Sequence, residues 1–182
     1  YVLVGIALMD FIGAWFIHWI QHNVKWMWKF HIIHHSDPNV DVTSGLRHHP
    51  GENIFRLLFT ILAILISGAN FGLVMIYQTV SVFFAHFSHA NIRIPAKIEY
   101  CVSFIFITPR FHRIHHHFMQ PYTDSNYGNI FSFWDYIFKT KKDFKNSKKI
   151  RFGVDTHMDK KEISSLINLL AIPFQPYRSP QK

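Results

Sequence analysis

Charge is scarce in this 182-residue chain: Asp, Glu, Lys and Arg together make up 16%, where soluble domains sit near a quarter. Acidic residues are the rarest class, 11 against 19 Lys plus Arg, for a net charge of +8 with histidine neutral. An ordinary cytosolic domain is therefore excluded. So is a disordered segment, because 49% of the residues are hydrophobic and 17% aromatic. The single cysteine, Cys101, excludes an intramolecular disulfide and any cysteine-based zinc or iron–sulfur site. No dinucleotide fingerprint, haem motif or H-E-x-x-H occurs. What the chain has in excess is phenylalanine, 19 residues, and histidine, 14 residues. Its length allows one domain with a substantial core.

The chain opens at Tyr1 inside an apolar run without the basic region and cleavage site of a signal peptide, so we expect further N-terminal sequence, including membrane helices. Residues 1–17 are apolar except for Asp10 and read as part of a transmembrane helix running into His18. Trp26, Trp28 and Phe30 stand among basic residues, a mixture suited to the membrane–water interface. Residues 36–51 carry Asp37-Pro38-Asn39, Ser44-Gly45 and Pro50-Gly51 and read as a loop.

Between Arg56 and Arg93 stand 36 residues without Asp, Glu, Lys or Arg. As one helix they would measure roughly 54 Å, against a hydrocarbon core of about 30 Å. Ser67-Gly68-Ala69-Asn70 can turn the chain, which predicts a hairpin of two helices, each short for a full crossing unless tilted or re-entrant. Residues 96–108 form another helical candidate, closed by Thr108-Pro109, and the aromatic segment 128–138 belongs in or near the interface. Residues 139–151 hold seven basic residues and one acid. By the positive-inside rule this run faces the cytoplasm and can touch anionic lipid, although a solvated tail explains it equally. Nothing in the fold pattern supports a nucleic-acid partner.

The histidines fall in clusters: His18 with His22, His31 with His34 and His35, His86 with His89, and His112 with His115 and His116. Positions i, i+3 and i+4 share a helix face, so the imidazoles of each cluster should point one way. Imidazole is the commonest protein metal ligand, and clusters at several helix ends can surround one small volume. Ten histidines are too many for one metal and suit two. The second and third clusters meet only if the intervening chain crosses the membrane an even number of times, as the hairpin does. A lone histidine such as His157 is an ordinary hydrogen-bonded side chain, whereas imidazole at membrane depth is costly and marks function.

In order along the chain come Asp10, His18-x-x-x-His22, Phe30-His31-Ile-Ile-His34-His35-Ser36, and Arg47-His48-His49-Pro50-Gly51-Glu52. These are followed by His89-Ala-Asn-Ile-Arg93-Ile-Pro95, Thr108-Pro-Arg-Phe-His112-Arg-Ile-His115-His116, Asp124-Ser-Asn-Tyr-Gly128 and Phe133-Trp-Asp135. This series, from Asp10 to Gly153, resembles the fatty-acid hydroxylase and sterol desaturase superfamily of membrane di-iron oxygenases. The resemblance implies an all-α integral membrane bundle over residues 1–153, with a cytoplasm-facing di-metal site and a C-terminal tail at 154–182. It implies two iron ions, dioxygen as co-substrate, a lipid substrate in lipid biosynthesis, and a redox protein as external electron donor. His18, His22, His31, His34, His35, His112, His115 and His116 match the family's ligands; His86 and His89 are both kept for the third box. His49 fits the pattern from a loop, and His48 and His117 match less well. Trp19 departs from the family, which usually has Arg after the first-box histidine.

An unactivated alkyl C–H bond is beyond side-chain acid–base chemistry, so a redox metal must supply the oxidant; hydroxylation and desaturation both remain open. Asp10, Asp37, Glu52, Asp124 and Asp135 are candidates to orient imidazole N–H groups, or equally caps and surface charges. A zinc-dependent membrane hydrolase would need three protein ligands and a general base, typically as H-E-x-x-H; a third class is a non-catalytic haem- or metal-binding membrane protein, in which bis-histidine haem would need facing pairs on separate spans.

Overall fold

The computed structural model describes residues 1–143 and 150–180 and contains helices but no strands among them. The basic run at 139–151 is therefore described only at its two ends, and residues 144–149 lie outside the described residues.

The first helix, α1, runs Val2–Asn23 with a π-helical stretch at Phe11–Phe16. Val24, in extended conformation, breaks it and starts α2, Lys25–His35. After a loop with a 3₁₀ turn at Val42–Leu46, α3 (Pro50–Ser67) begins with Pro50 at its first turn, where a missing N–H costs nothing. Gly68 at φ 61° ends it, because a left-handed residue without Cβ strain is what this stop requires. The Asn70 side chain then accepts from the Leu73 N–H at 2.9 Å and caps α4, Phe71–His89.

The hairpin expected from the Ser67–Asn70 punctuation is thus present, and the four residues responsible form its tip. Its two helices, of 18 and 19 residues, rise about 27–29 Å, close to the thickness of the hydrocarbon core. With α1 they are the three helices long and apolar enough to cross a membrane. Only 11% of α3 and 17% of the most apolar 18 residues of α4 are buried inside the protein. The remainder, including Leu57, Leu58, Ile61, Leu65, Met75 and Phe83, is apolar and exposed, a composition for lipid contact. Ile6, Met9, Ile12, Ala63, Leu73 and Tyr77 form the buried core between the three helices. At the tip, the Tyr1 hydroxyl donates to the Gly68 carbonyl at 3.0 Å. His18, His22, Glu52 and His89 therefore gather at the opposite end.

Beyond α4, α5 is only Ala96–Val102. The helix expected through residue 108 stops early because residues 105–107 pair instead with 130–132: the Ser132 N–H donates to Ile105 and the Ile107 N–H to Ile130, both at 3.0 Å. α6 (Pro109–His115) is capped by Thr108, and α7 is Phe133–Ile137. The short helices α8 (Lys160–Ser164) and α9 (Leu166–Ala171) follow. Val154, Ile163, Leu169 and Ile172 share a core with Trp28, Ile32 and Ile33, so the C-terminal residues brace α2.

Two buried carboxylates tie the 127–135 segment to α1. Asp10 accepts from the N–H groups of Ile130 (3.1 Å) and Phe131 (3.2 Å) and from the Trp134 indole (3.1 Å). Asp135 accepts from the Trp15 indole at 3.1 Å, the Thr140 hydroxyl at 2.6 Å, and the N–H groups of Tyr127 and Gly128 at 2.9 Å each. Gly128 is required here, since a Cβ would stand 2.5 Å from the Phe131 carbonyl oxygen. Ile130 thereby reaches the core against α1.

Asp135→Asn turns one of these acceptor oxygens into an NH₂ that faces donors. It should destabilise the protein by about 1–3 kcal/mol, the cost of unpaired buried polar groups. Thermal unfolding in detergent, followed by tryptophan fluorescence, measures this; an unchanged midpoint would show the carboxylate to be dispensable.

Candidate metal centre

Two groups of imidazoles meet where α1, α2, α4 and α6 converge. His18, His22, His31, His35 and His115 form one; His34, His89, His112 and His116 form the other. Within each group one ring nitrogen per residue lies within 4.8 Å of all the others, close enough to hold a metal ion. Nine of the ten histidines singled out from the sequence are brought together in this way.

The partition refines the helical spacing argument. Residues at i and i+4 differ by about 40° around a helix, whereas i+3 lies about 60° to the other side. His31 and His35 accordingly join the first group and His34 the second. In the last box the assignment is reversed: His112 and His116 enter the second group and His115 the first. The imidazoles of an H-x-x-H-H box therefore do not all point one way; each of these two boxes serves both groups, whereas His18 and His22 both serve the first. The groups abut, with ring centroids 4.6 Å apart for His35–His116 and 5.0 Å for His112–His115.

His86 lies outside both groups, its Nδ1 3.2 Å from the Val42 carbonyl, three residues before His89 and so on a different part of the α4 surface. His49 also stands apart, its Nδ1 accepting from the Gly51 N–H at 2.8 Å as it caps α3. His48 stacks on His34 at 4.6 Å and completes a third cluster with His31 and Glu52. His117 interacts through Nδ1 with the Met119 backbone, and His157 contacts Thr156.

Six of the nine outward ring nitrogens have fixed partners, whereas Nδ1 of His35, His112 and His116 is buried without one. Nδ1 of His18 is 2.8 Å from the Tyr127 carbonyl, that of His34 is 3.0 Å from Ser44, and those of His89 and His115 are 2.6 Å from Ala85 and Ser125. Carbonyls only accept, so each of these Nδ1 atoms carries the proton. His31 Nδ1 donates to Glu52 Oε1 at 2.8 Å and His22 Nδ1 to Asp124 Oδ1 at 3.0 Å. Of the five carboxylates considered from the sequence, Glu52 and Asp124 meet imidazoles. Asp10 and Asp135 bind the 127–135 backbone, and Asp37 accepts from the Ser44 hydroxyl. The backbone carbonyls carry no side-chain signal and were not legible in the sequence.

With the proton on Nδ1, neutral imidazole has only a lone pair on Nε2. Yet Nε2 of His18 faces Nε2 of His31 at 3.0 Å, and Nε2 of His34 faces that of His89 at 3.2 Å. The Nε2 atoms of His112 and His116 complete the second set, at 3.2 and 3.1 Å from His89. Lone pairs so placed repel one another, and a shared cation resolves the conflict. Nitrogens bound to one metal at 2.0–2.1 Å in tetrahedral fashion lie roughly 3.4 Å apart, near the spacing observed. Nε2 of His22, His35 and His115 is buried without a hydrogen-bond partner, as ligand atoms would be. Burial, and after it the neighbouring imidazoles, lower the pKa of His35, His115 and His116 well below the usual value, so these rings are neutral and ready to coordinate.

The chain matches the fatty acid hydroxylase family over residues 2–140. It is 27% identical over 139 residues to ornithine lipid hydroxylase OlsE of Rhizobium tropici, covering 76% of this chain and 41% of that protein. It is 28% identical over 150 residues to human alkylglycerol monooxygenase, covering 82% of this chain and 32% of that one. With the very-long-chain aldehyde decarbonylase GL1-11 of Oryza sativa it shares 28% identity over 159 residues, 86% of this chain and 58% of that protein. The chain thus spans less than half the length of the first two relatives. No solved structure matches it significantly. The matched segment contains the three long apolar helices and both imidazole groups, and on that ground the chain belongs to the fatty acid hydroxylase family.

Proposed function

We propose that this chain forms the catalytic membrane core of an oxygen-dependent lipid hydroxylase or desaturase that holds two iron ions. The observation that carries the reading is the pair of imidazole groups whose inward nitrogens face one another without protons. His18, His22, His31, His35 and His115 would hold one iron, and His34, His89, His112 and His116 the other. Bound there, iron supplies the means to use dioxygen against an unactivated C–H bond, which no side chain can do alone. Names of the relatives that refer to an ornithine lipid, alkylglycerols and very-long-chain aldehydes support a lipid substrate. Electrons would come from a redox partner or a fused cytochrome.

The chain's own residues prepare the site. The Tyr127, Ser44 and Ser125 carbonyls fix His18, His34 and His115 as Nδ1–H tautomers and aim Nε2 inward. Glu52 and Asp124 do the same for His31 and His22 and add negative charge behind the first group. Complete burial of His31, His35, His115 and His116 keeps bulk water away. In the bilayer, α1, α3 and α4 would be spans of a multi-pass protein. The basic residues at 139–151 favour a cytoplasmic position for the end that holds the site.

Protein purified in detergent without oxygen should contain about two irons per chain, because the ligands form two sets. His115→Ala with His116→Ala removes one ligand from each group and should abolish both. His89→Ala should leave about one, since only the four-nitrogen group is damaged. Plasma emission spectrometry gives the count. Two zincs would keep the geometry and call for iron reconstitution before any assay, whereas one metal or none in folded wild-type protein would refute the di-metal reading.

Glu52→Ala leaves the His31 Nδ1–H without its acceptor. Iron retention in competition with a chelator should fall about 10–100-fold, the usual loss when a ligand's hydrogen-bond partner is removed. Glu52→Gln, which keeps an acceptor oxygen, should recover much of it.

A further inference from the structure

Next to the histidine centre lies an open cleft of about 370 Å³, bounded by the chain that leaves α4, the start of α5, and α6. Arg93, Arg110 and Arg113 line it together with Asn91 and Glu99. Arg113 donates to the Asn91 side chain at 3.1 Å and lies over the Phe152 ring at 5.1 Å. None of the three arginines forms an ion pair among the described residues. The sequence of residues 144–149, FKNSKK, contains no acid that could supply one. Even with Glu99 counted, the cleft carries surplus positive charge. Burial, and after it the charge of Arg93, disfavour the Arg113 cation, so the like charges crowd one another. Three guanidinium groups around one empty volume, without carboxylate partners, suit a multivalent oxyanion.

The position of the cleft names the source of that anion. α4 ends at His89, so Asn91–Ile94 lie just past a candidate span, where the headgroups of a bilayer crossed by α4 would be. Ile92, which lines the cleft, and Ile98, on the α5 that borders it, are apolar and exposed. Arg113 stands in α6 between His112 and His115, which binds the cleft to the same helix as the metal site. We propose that this cleft binds the phosphate of an anionic lipid headgroup, with the acyl chains lying along the neighbouring apolar surface. The proposal deepens the lipid-oxidising reading above and rests on it for the assignment of this lipid as substrate.

The test uses the full chain in an uncharged detergent, with dioctanoyl phosphatidic acid as probe and tryptophan fluorescence as readout. Dioctanoylglycerol and inorganic phosphate are the comparison ligands. Saturable binding of phosphatidic acid is expected, weakened about tenfold or more by Arg93→Gln with Arg110→Gln and largely kept by Arg110→Lys. Equal binding of dioctanoylglycerol, or no effect of the double variant, would overturn the proposal. Inorganic phosphate binding as tightly as the lipid would make this a free-phosphate site and overturn the lipid assignment. If the double variant loses its iron through misfolding, Arg93→Gln alone and a salt titration of the wild type decide. Affinity should fall with salt, and a flat response overturns the proposal. Iron counted on the same samples separates the two readings. Iron without lipid binding refutes the cleft alone; lipid binding without iron refutes the oxygenase reading and leaves the cleft as a lipid site.

Discussion

Unprotonated imidazole nitrogens facing each other, His18 against His31 at 3.0 Å and His34 against His89 at 3.2 Å, are the constraint around which this structure is arranged. Such contacts hold only when something else fixes these rings and a cation can neutralise the repulsion. The fixing is done from behind. Each outward Nδ1 of His18, His34, His89 and His115 donates to a backbone carbonyl, and those of His22 and His31 to carboxylates. A displaced acceptor would free a ring to turn its proton inward and destroy the site. The position of segments such as 125–127 and 42–46 therefore matters as much as the ligands themselves.

This dependence explains the polar groups buried beside the apolar helices. Asp10 within α1 has no exposure, and burying a carboxylate there is expensive unless donors surround it. Its partners are the Ile130 and Phe131 N–H groups and the Trp134 indole. With Asp135 it pins the segment whose Tyr127 carbonyl holds His18. Tension on one loop would thus be felt at an imidazole on a different helix. α3 contributes in the same way from its first turn. Glu52 is fully buried and bonded to His31 and Arg56, so the hairpin carries the carboxylate to the histidine cluster as well as returning the chain to place His89.

Much of this was legible from local chemistry. The i, i+3, i+4 boxes, the charge-free stretch and the Ser67–Asn70 break identify the helices and place the histidines at one end, because each is a property of neighbouring residues. The reversed sorting of the two H-x-x-H-H boxes between the groups was less accessible: it depends on how α2 and α6 are rotated against each other. Backbone acceptors at Ser44, Ser125 and Tyr127 could not be read from residue type at all. The early end of α5 at Val102 has the same origin, a pairing with residues 25 or so positions away, as does the role of Asp135, whose four donors come from three separate segments. His86 has the spacing of a box residue, but its ring meets the Val42 carbonyl instead.

The two imidazole groups are unequal, and the inequality follows from their supports. The five-nitrogen group has Glu52 and Asp124 behind it, so an ion there meets nearby negative charge. The four-nitrogen group is backed by the Ser44 and Ala85 carbonyls at His34 and His89 and has one ligand fewer. An ion held by the second group would therefore meet one imidazole fewer, with no carboxylate behind its ligands to offset its charge. The same group includes His112 and His116 of the α6 region, whose intervening Arg113 lines the basic cleft, and His89, the last residue of α4 before Asn91 and Arg93. Neutral imidazoles inside and unpaired arginines just outside place two incompatible electrostatic environments on one short helix. Separating them there lets an anionic group be recognised by the arginines of the cleft while the imidazoles stay neutral.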